Sequence, residues 1–198
     1  MKNLNQQILY FDFEQNFKDQ DFYVSKSNQY SFKLLNNWPK WEKNFVNLIG
    51  ENFSGKSHLI NIFLQNFKGI GISADKINNE FLKEIKIYEN IILEDLTENV
   101  DENLLFTLIN TIEQDNKYLI VTSIKPIVEF KFILHDLNSR TKNFLLSAIE
   151  KPEDDLMYAL LIKNLSDRQI TIDKKLIDFI IKRITRSYGK ISEFIYKI

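Results

Sequence analysis

The chain has 198 residues, 44% of them hydrophobic, with 26 basic and 27 acidic residues for a formal net charge of -1. That length suits one domain with an appendage or two small ones, and the near-neutral charge removes any global electrostatic drive toward nucleic acid or an anionic membrane. The absence of cysteine excludes disulfides and thiolate metal sites; with no apolar run near the roughly 18 residues of a membrane span and a polar N-terminus unlike a signal peptide, a soluble, cytoplasmic protein is expected.

Residues 1–20 are largely polar apart from the cluster Ile8-Leu9-Tyr10-Phe11-Asp12-Phe13. They read as a flexible tail carrying a short apolar motif, or equally as a segment folded back onto the core. Asp21-Phe22-Tyr23-Val24 follows, and then a helix is expected from Asn28 to Asn36, ended by Trp38-Pro39. From Asn44 onward strand and helix patterns alternate. Strands are expected at Phe45–Ile49, Gly69–Ser73, Asn90–Leu93, Tyr118–Thr122 and Phe144–Ile149. Helices are expected at Ser57–Phe67, Ala74–Phe81, Glu102–Gln114 and Leu137–Arg140. Nearly all-apolar strands separated by helices predict a parallel five-stranded sheet covered on both faces, a three-layer α/β/α core.

Between the first of these strands and its helix lies Gly50-Glu51-Asn52-Phe53-Ser54-Gly55-Lys56-Ser57, which satisfies the phosphate-loop pattern G-x-x-x-x-G-K-[ST] in full. Glycines at both ends let consecutive N–H groups turn inward toward phosphate oxygens. Lys56 supplies a positive charge for the β- and γ-phosphates, and the Ser57 hydroxyl suits Mg2+. The helix that follows presents its positive dipole end to the same place. A chance match is the alternative, and the flanking strand and helix speak against it. Nucleotide binding is expected.

The strand Ile91-Ile92-Leu93 ends in Glu94-Asp95, where a phosphate-loop ATPase places its Mg2+-side carboxylates. Such proteins generally carry Asp first. Glu94 is one methylene longer, about 1.5 Å further along, and a misplacement of about 1 Å can cost roughly 100-fold in rate. Weak intrinsic turnover is therefore expected. The next strand ends in Thr122-Ser123, hydroxyls within topological reach of the γ-phosphate, although such residues are common in strands for β-propensity alone. Arg140, ending a short helix, is either a surface residue or a finger donated to a neighbour's nucleotide. His58 and His135 have no ligand-spaced partners, so zinc is not expected.

At Lys151-Pro152 the pattern changes. Pro152 in a first turn followed by Glu153-Asp154-Asp155 reads as a helix start, and three helices are expected, at Glu153–Leu165, Lys174–Arg183 and from Ser187 to the C-terminus. The expected plan is a tail over 1–20, an α/β core over 21–151 and a small all-helical lid over 152–198. Lys190 in the last helix either touches phosphate from that lid or is solvated.

Taken together these motifs resemble the AAA+ ATPases, in the branch related to the replication initiator DnaA, and within it the DnaA regulatory inactivator (Hda/HdaA) family. The resemblance rests on Asp21-Phe22-Tyr23-Val24-Ser25 with Ser27-Asn28, on Trp38-Pro39-Lys40-Trp41, and on the run Gly50 to Leu59. It continues through Glu94-Asp95-Leu96, Glu102 to Phe106, Leu137-Asn138-Ser139-Arg140, Pro152 to Asp155 and Asp167-Arg168-Gln169. It implies that Gly50 to Ser57 and the adjoining His58 hold ADP or ATP, with Phe22, Val24 and Asn28 near the adenine and Lys190 as the second sensor. Lysine there keeps the charge but lacks arginine's bidentate fork. Ser57 and Glu94 would hold Mg2+, Asp95 and Ser123 would serve catalysis, and Arg140 would be the finger acting in trans on DnaA-bound ATP. Gln6, Gln7, Ile8, Leu9 and Phe11 look like a glutamine-led motif for the sliding clamp, the β subunit of DNA polymerase III, with one extra residue in the spacing.

The partners implied are DnaA in its ATP form and the clamp, with a homodimer also allowed. The function implied is negative regulation of replication initiation by stimulating DnaA to hydrolyse its ATP. DnaA continues past its lid into a helix-turn-helix DNA-binding domain, whereas this chain stops at Ile198, so direct sequence-specific DNA binding is not expected. The alternative from another class is a stand-alone AAA+ ATPase of helicase-loader type.

Overall fold

The computed structural model describes residues 22–197. Gln6, Gln7, Ile8, Leu9 and Phe11, the candidate clamp-binding residues, lie outside the described residues.

Strands β1 (Phe45–Ile49), β2 (Gly69–Ser73), β3 (Asn90–Leu96), β4 (Tyr118–Ser123) and β5 (Leu145–Ala148) form one sheet in the order β2-β3-β4-β1-β5. Every neighbouring pair is parallel. Parallel strands cannot be joined by tight turns, so each connection crosses a face of the sheet. Helices α2 (Lys56–Asn66), α3 (Asn79–Glu84), α4 (Glu102–Gln114) and α5 (His135–Arg140) lie in those crossovers, after α1 (Gln29–Asn36) at the start.

Side-chain alternation explains the three layers. On β3, Ile91 and Leu93 enter one core with Leu105, Leu108, Ile109 and Ile112 of α4, while Ile92 between them enters a second core with Leu35 of α1 and Leu59, Ile60 and Phe63 of α2. Leu119 and Val121 against Ile120 on β4 repeat the division. The two-residue period of a strand thus feeds both faces, and the 3.6-residue period of α4 supplies one stripe to cover one of them. Each such residue contributes about 1.5–3 kcal/mol by its burial. The tryptophan pair packs against the second core, where Trp38 meets Phe63 edge-on and Phe67 tilted, Trp41 stacks on Phe63 and meets Tyr118 edge-on, and Trp41 Nε1 donates to Leu34 O at 2.7 Å.

Three local expectations are corrected. The helix expected over Ala74–Phe81 is divided into a 3-10 turn, Ala74–Lys76, and α3. Asn78 starts the second piece because its Oδ1 accepts the N–H groups of Glu80 and Phe81, both at 2.9 Å. β3 continues past Leu93 to Leu96 with a register shift between those two residues. Glu94 and Asp95 therefore sit on a bulge within the strand, with Asp95 at φ +55°. Pro152 precedes the N-cap Glu153 and lies outside the first turn, which holds Asp154 and Asp155.

Helices α6 (Asp154–Asp167), α7 (Lys174–Ile181) and α8 (Tyr188–Tyr196) close the described chain. They share a core of Met157, Leu161, Ile177, Ile191 and Ile195, while Leu156 and Tyr188 reach into the second sheet core. No helix among the described residues is long and apolar enough to cross a membrane.

Candidate nucleotide-binding site

In a parallel sheet all strand C-termini open at one edge, where ligands of such folds bind. Gly50 after β1, Glu94 and Asp95 on β3, and Thr122 and Ser123 on β4 meet there. The Gly50 N–H donates to Ser123 O at 3.1 Å. A Cβ on Gly50 would stand 2.5 Å from Ser54 Oγ, so that hydroxyl would have to move, and Gly55 has φ +94°, a conformation that favours glycine. Ser54 is 4% exposed, and its hydroxyl is buried without a hydrogen-bond partner. Asn52 and Phe53 are exposed at the tip.

Lys56 is 6% exposed. Its Nζ donates to Gly50 O at 2.7 Å and Glu51 O at 3.0 Å, leaving one of the three ammonium hydrogens for another acceptor. Burial pushes the Lys56 ammonium below its ordinary value, against the opposing pull of Asp95, Glu51 and Glu94. An anion in the loop would favour the charged form. α2 begins at Lys56, directing its unpaired N–H groups at the loop.

Ser57 Oγ donates to Glu94 Oε2 at 2.7 Å. A hydroxyl and a carboxylate so placed are the oxygen donors Mg2+ takes from protein, the remainder coming from phosphate and water. Among the described residues no group of three or more acids and histidines is gathered for a metal. The loop's glycine cradle, the orphaned Ser54 hydroxyl, the desolvated Lys56 and the Ser57–Glu94 pair all fit a Mg2+-nucleotide.

The other expected residues divide. Phe22 lies beside the loop, 3.4 Å from a Cβ position on Gly55, with His58 edge-on at 5.2 Å and Phe32 stacked at 5.9 Å. Val24 is exposed. Asn28 is buried and its amide closes its own turn, accepting from Ser25 N–H at 2.8 Å and donating to Tyr23 O at 2.9 Å. Asp95 faces β4 through its N–H, which donates to Thr122 Oγ1 at 2.8 Å. The Ser123 hydroxyl is turned inward, accepting from Asn47 Nδ2 and donating to Lys125 O, each at 2.8 Å. Of the two hydroxyls, Thr122 is the one joined to the acid pair.

Arg140 is not among the loop's neighbours. Its guanidinium pairs with Glu113 and sits 5.4 Å over the Phe106 ring, both on α4. Lys190 pairs with Glu193 at 2.8 Å, with 59% of its side chain exposed; that carboxylate holds its pKa up. What joins α8 to the phosphate loop is Glu51, whose carboxylate accepts from Ser187 Oγ at 2.9 Å and Tyr188 N–H at 2.7 Å.

Two groups had no sequence signal strong enough to place them. Asn47 is fully buried in β1, bonding Val121 O, Ser123 Oγ and the Ile127 N–H; an asparagine inside Phe45-Val46-Asn47-Leu48-Ile49 was the available hint. Glu51 occupies a position the loop pattern leaves unrestricted.

No family model matches the chain. It is 25% identical over 199 residues to the chromosomal replication initiator protein DnaA of Helicobacter hepaticus, covering 88% of this chain and 43% of that protein. The chain thus spans less than half the length of the curated relatives it matches. Among solved structures, a DNA replication initiation factor superposes with a TM-score of 0.75 at 18% identity, covering 94% of this chain and 65% of that one. AMPPCP-bound DnaA from Aquifex aeolicus gives a TM-score of 0.73 at 19% identity, covering 90% and 63%. The chain is similar to DnaA over most of its length and has the α/β fold of the DnaA structures it superposes on.

Proposed function

We propose that this chain is a nucleotide-binding regulator of DNA replication initiation. It binds ADP or ATP with Mg2+ at the phosphate loop. It docks on the DNA-loaded sliding clamp through its N-terminal segment and presents Arg140 to the ATP held by DnaA. The observation that carries the reading is the division of labour in the site: a complete phosphate loop with a desolvated lysine, and an arginine on a separate, partly exposed surface. The likeness to DnaA supports a partner of the same fold, since one AAA+ chain can complete another's site from such a surface.

In this reading the loop from Gly50 to Gly55 wraps the phosphate, Lys56 neutralises it, and Ser57 with Glu94 would hold the metal. Asp95, fixed by Thr122 at its own backbone, is the acid left for water. An arginine supplied in trans accelerates phosphoryl transfer by about 10³–10⁵. The consequence is DnaA-ADP and suppressed re-initiation. The test is single-turnover hydrolysis of DnaA-bound ATP on clamp-loaded DNA, with wild type, Arg140→Ala and a chain lacking residues 1–13. Stimulation that needs both Arg140 and the tail supports the reading; full stimulation by Arg140→Ala counts against it.

A second reading has one observation in its favour. Glu94, despite its extra methylene, reaches Ser57 at 2.7 Å, which removes the geometric objection to intrinsic turnover and favours a stand-alone ATPase of helicase-loader type. Steady ATP turnover by the isolated chain, lost in Lys56→Ala, would select it.

A further inference from the structure

We propose that Glu51 is a clasp between the phosphate loop and the C-terminal helices, opened by the nucleotide. The inference rests on the nucleotide-binding reading and adds a regulatory element to that site.

Glu51 is engaged at both ends. Its carbonyl accepts from Lys56 Nζ at 3.0 Å. Its two carboxylate oxygens take the Ser187 hydroxyl and the Tyr188 N–H, the N-cap and first residue of α8. A carboxylate at a helix N-terminus satisfies an otherwise unpaired N–H and complements the dipole. The helix start is wedged in place. Tyr188 is 3% exposed and packs in the second sheet core, its hydroxyl lies 3.3 Å from Ser27 Oγ, and the neighbouring Lys26 N–H donates to Glu153 at the start of α6. Lys190, the α8 residue expected to meet phosphate, is occupied by Glu193 instead. Among the described residues, a hydrogen-bonded route from the loop to α8 runs through Glu51.

A polyphosphate in the loop acts on this residue twice. It competes with the Glu51 carbonyl for Lys56 Nζ, weakening that bond, and its negative charge repels the Glu51 carboxylate. Both effects loosen the hold on Ser187 and Tyr188. Because coupling between two binding equilibria is reciprocal, breaking the clasp strengthens nucleotide binding.

The test uses the full chain, with binding of N-methylanthraniloyl-ADP plus Mg2+ followed by fluorescence and the Tyr188 amide by hydrogen exchange. Wild type, Glu51→Ala and Ser187→Ala are compared, and circular dichroism confirms that each is folded. Ser187→Ala removes one clasp bond without changing charge, so it separates the clasp from simple relief of repulsion. The expected results are faster Tyr188 exchange on ADP binding, and ADP affinity roughly 5-fold tighter in both variants. ADP binding that leaves Tyr188 exchange unchanged, or a Ser187→Ala affinity equal to wild type, overturns the clasp alone. Absence of ADP binding by the folded wild type overturns the nucleotide reading and the clasp together.

Discussion

Ser57 and Glu94, on α2 and β3, are joined by a hydrogen bond of 2.7 Å from hydroxyl to carboxylate. It ties the first helical turn after the phosphate loop to the end of the second strand over in the sheet, and it fixes two oxygens where a divalent ion would lie. Glu94→Gln keeps the shape and removes the charge. ADP affinity of the wild type should fall about 10-fold or more when Mg2+ is chelated, the scale of one to two charge-assisted bonds. Glu94→Gln should start weak and respond little to chelation. Calorimetric titration with and without chelator decides; equal Mg2+ dependence in both proteins would remove Glu94 from the metal site.

The Arg140–Glu113 pair bears on the role in trans. Both side chains are partly exposed, and such pairs are worth about 0.2–1 kcal/mol, so Glu113 competes only mildly for the arginine. Glu113→Gln should leave thermal stability nearly unchanged and raise stimulation of DnaA-bound ATP hydrolysis up to about 5-fold. Reduced stimulation would mean that Glu113 positions Arg140 for its target.

What was legible in sequence was local or periodic. The eight residues of the phosphate loop are contiguous and the strands are runs of apolar residues, so the loop, five strands and most helices could be placed. What was missed depends on distant partners. Nothing near Glu51 announces Ser187 and Tyr188, and nothing near Arg140 announces Glu113. The resemblance put Asn28 near the adenine; its amide bonds the Tyr23 and Ser25 backbone, which its sequence neighbours did not announce. The break at Asn78 was visible as a capping residue, but the apolar spacing across Ala74 to Phe81 masked it.

Asn47 is a buried polar residue of β1 that bonds β4 and the turn at Ile127. Asn47→Leu preserves approximate volume but strands the Ile127 N–H, which at present donates to Asn47 Oδ1 at 2.8 Å. Each orphaned buried group costs about 1–3 kcal/mol. Urea unfolding should show a lower midpoint with an unchanged slope; an unchanged midpoint would mean that the site rearranges without loss.

Glu193 gives a pH prediction. Hydrogen bonds from Lys190 and Lys197 lower its carboxyl from 4.5 to about 2. A folded-state value below the unfolded one means that its contribution is present above about 4.5 and lost as pH falls toward about 2. Amide protection in α8 should weaken over that window, and Glu193→Gln should abolish the dependence. Because the group is exposed, high salt should shrink the effect.

The most direct test of the account is equilibrium titration of Mg2+-ADP and Mg2+-ATP against wild type and Lys56→Ala. Saturable binding by the wild type, weakened about 10-fold or more in a folded Lys56→Ala protein, is the predicted result. No saturable binding by the wild type, or equal affinity in the two proteins, would contradict the claim that this loop holds a nucleotide.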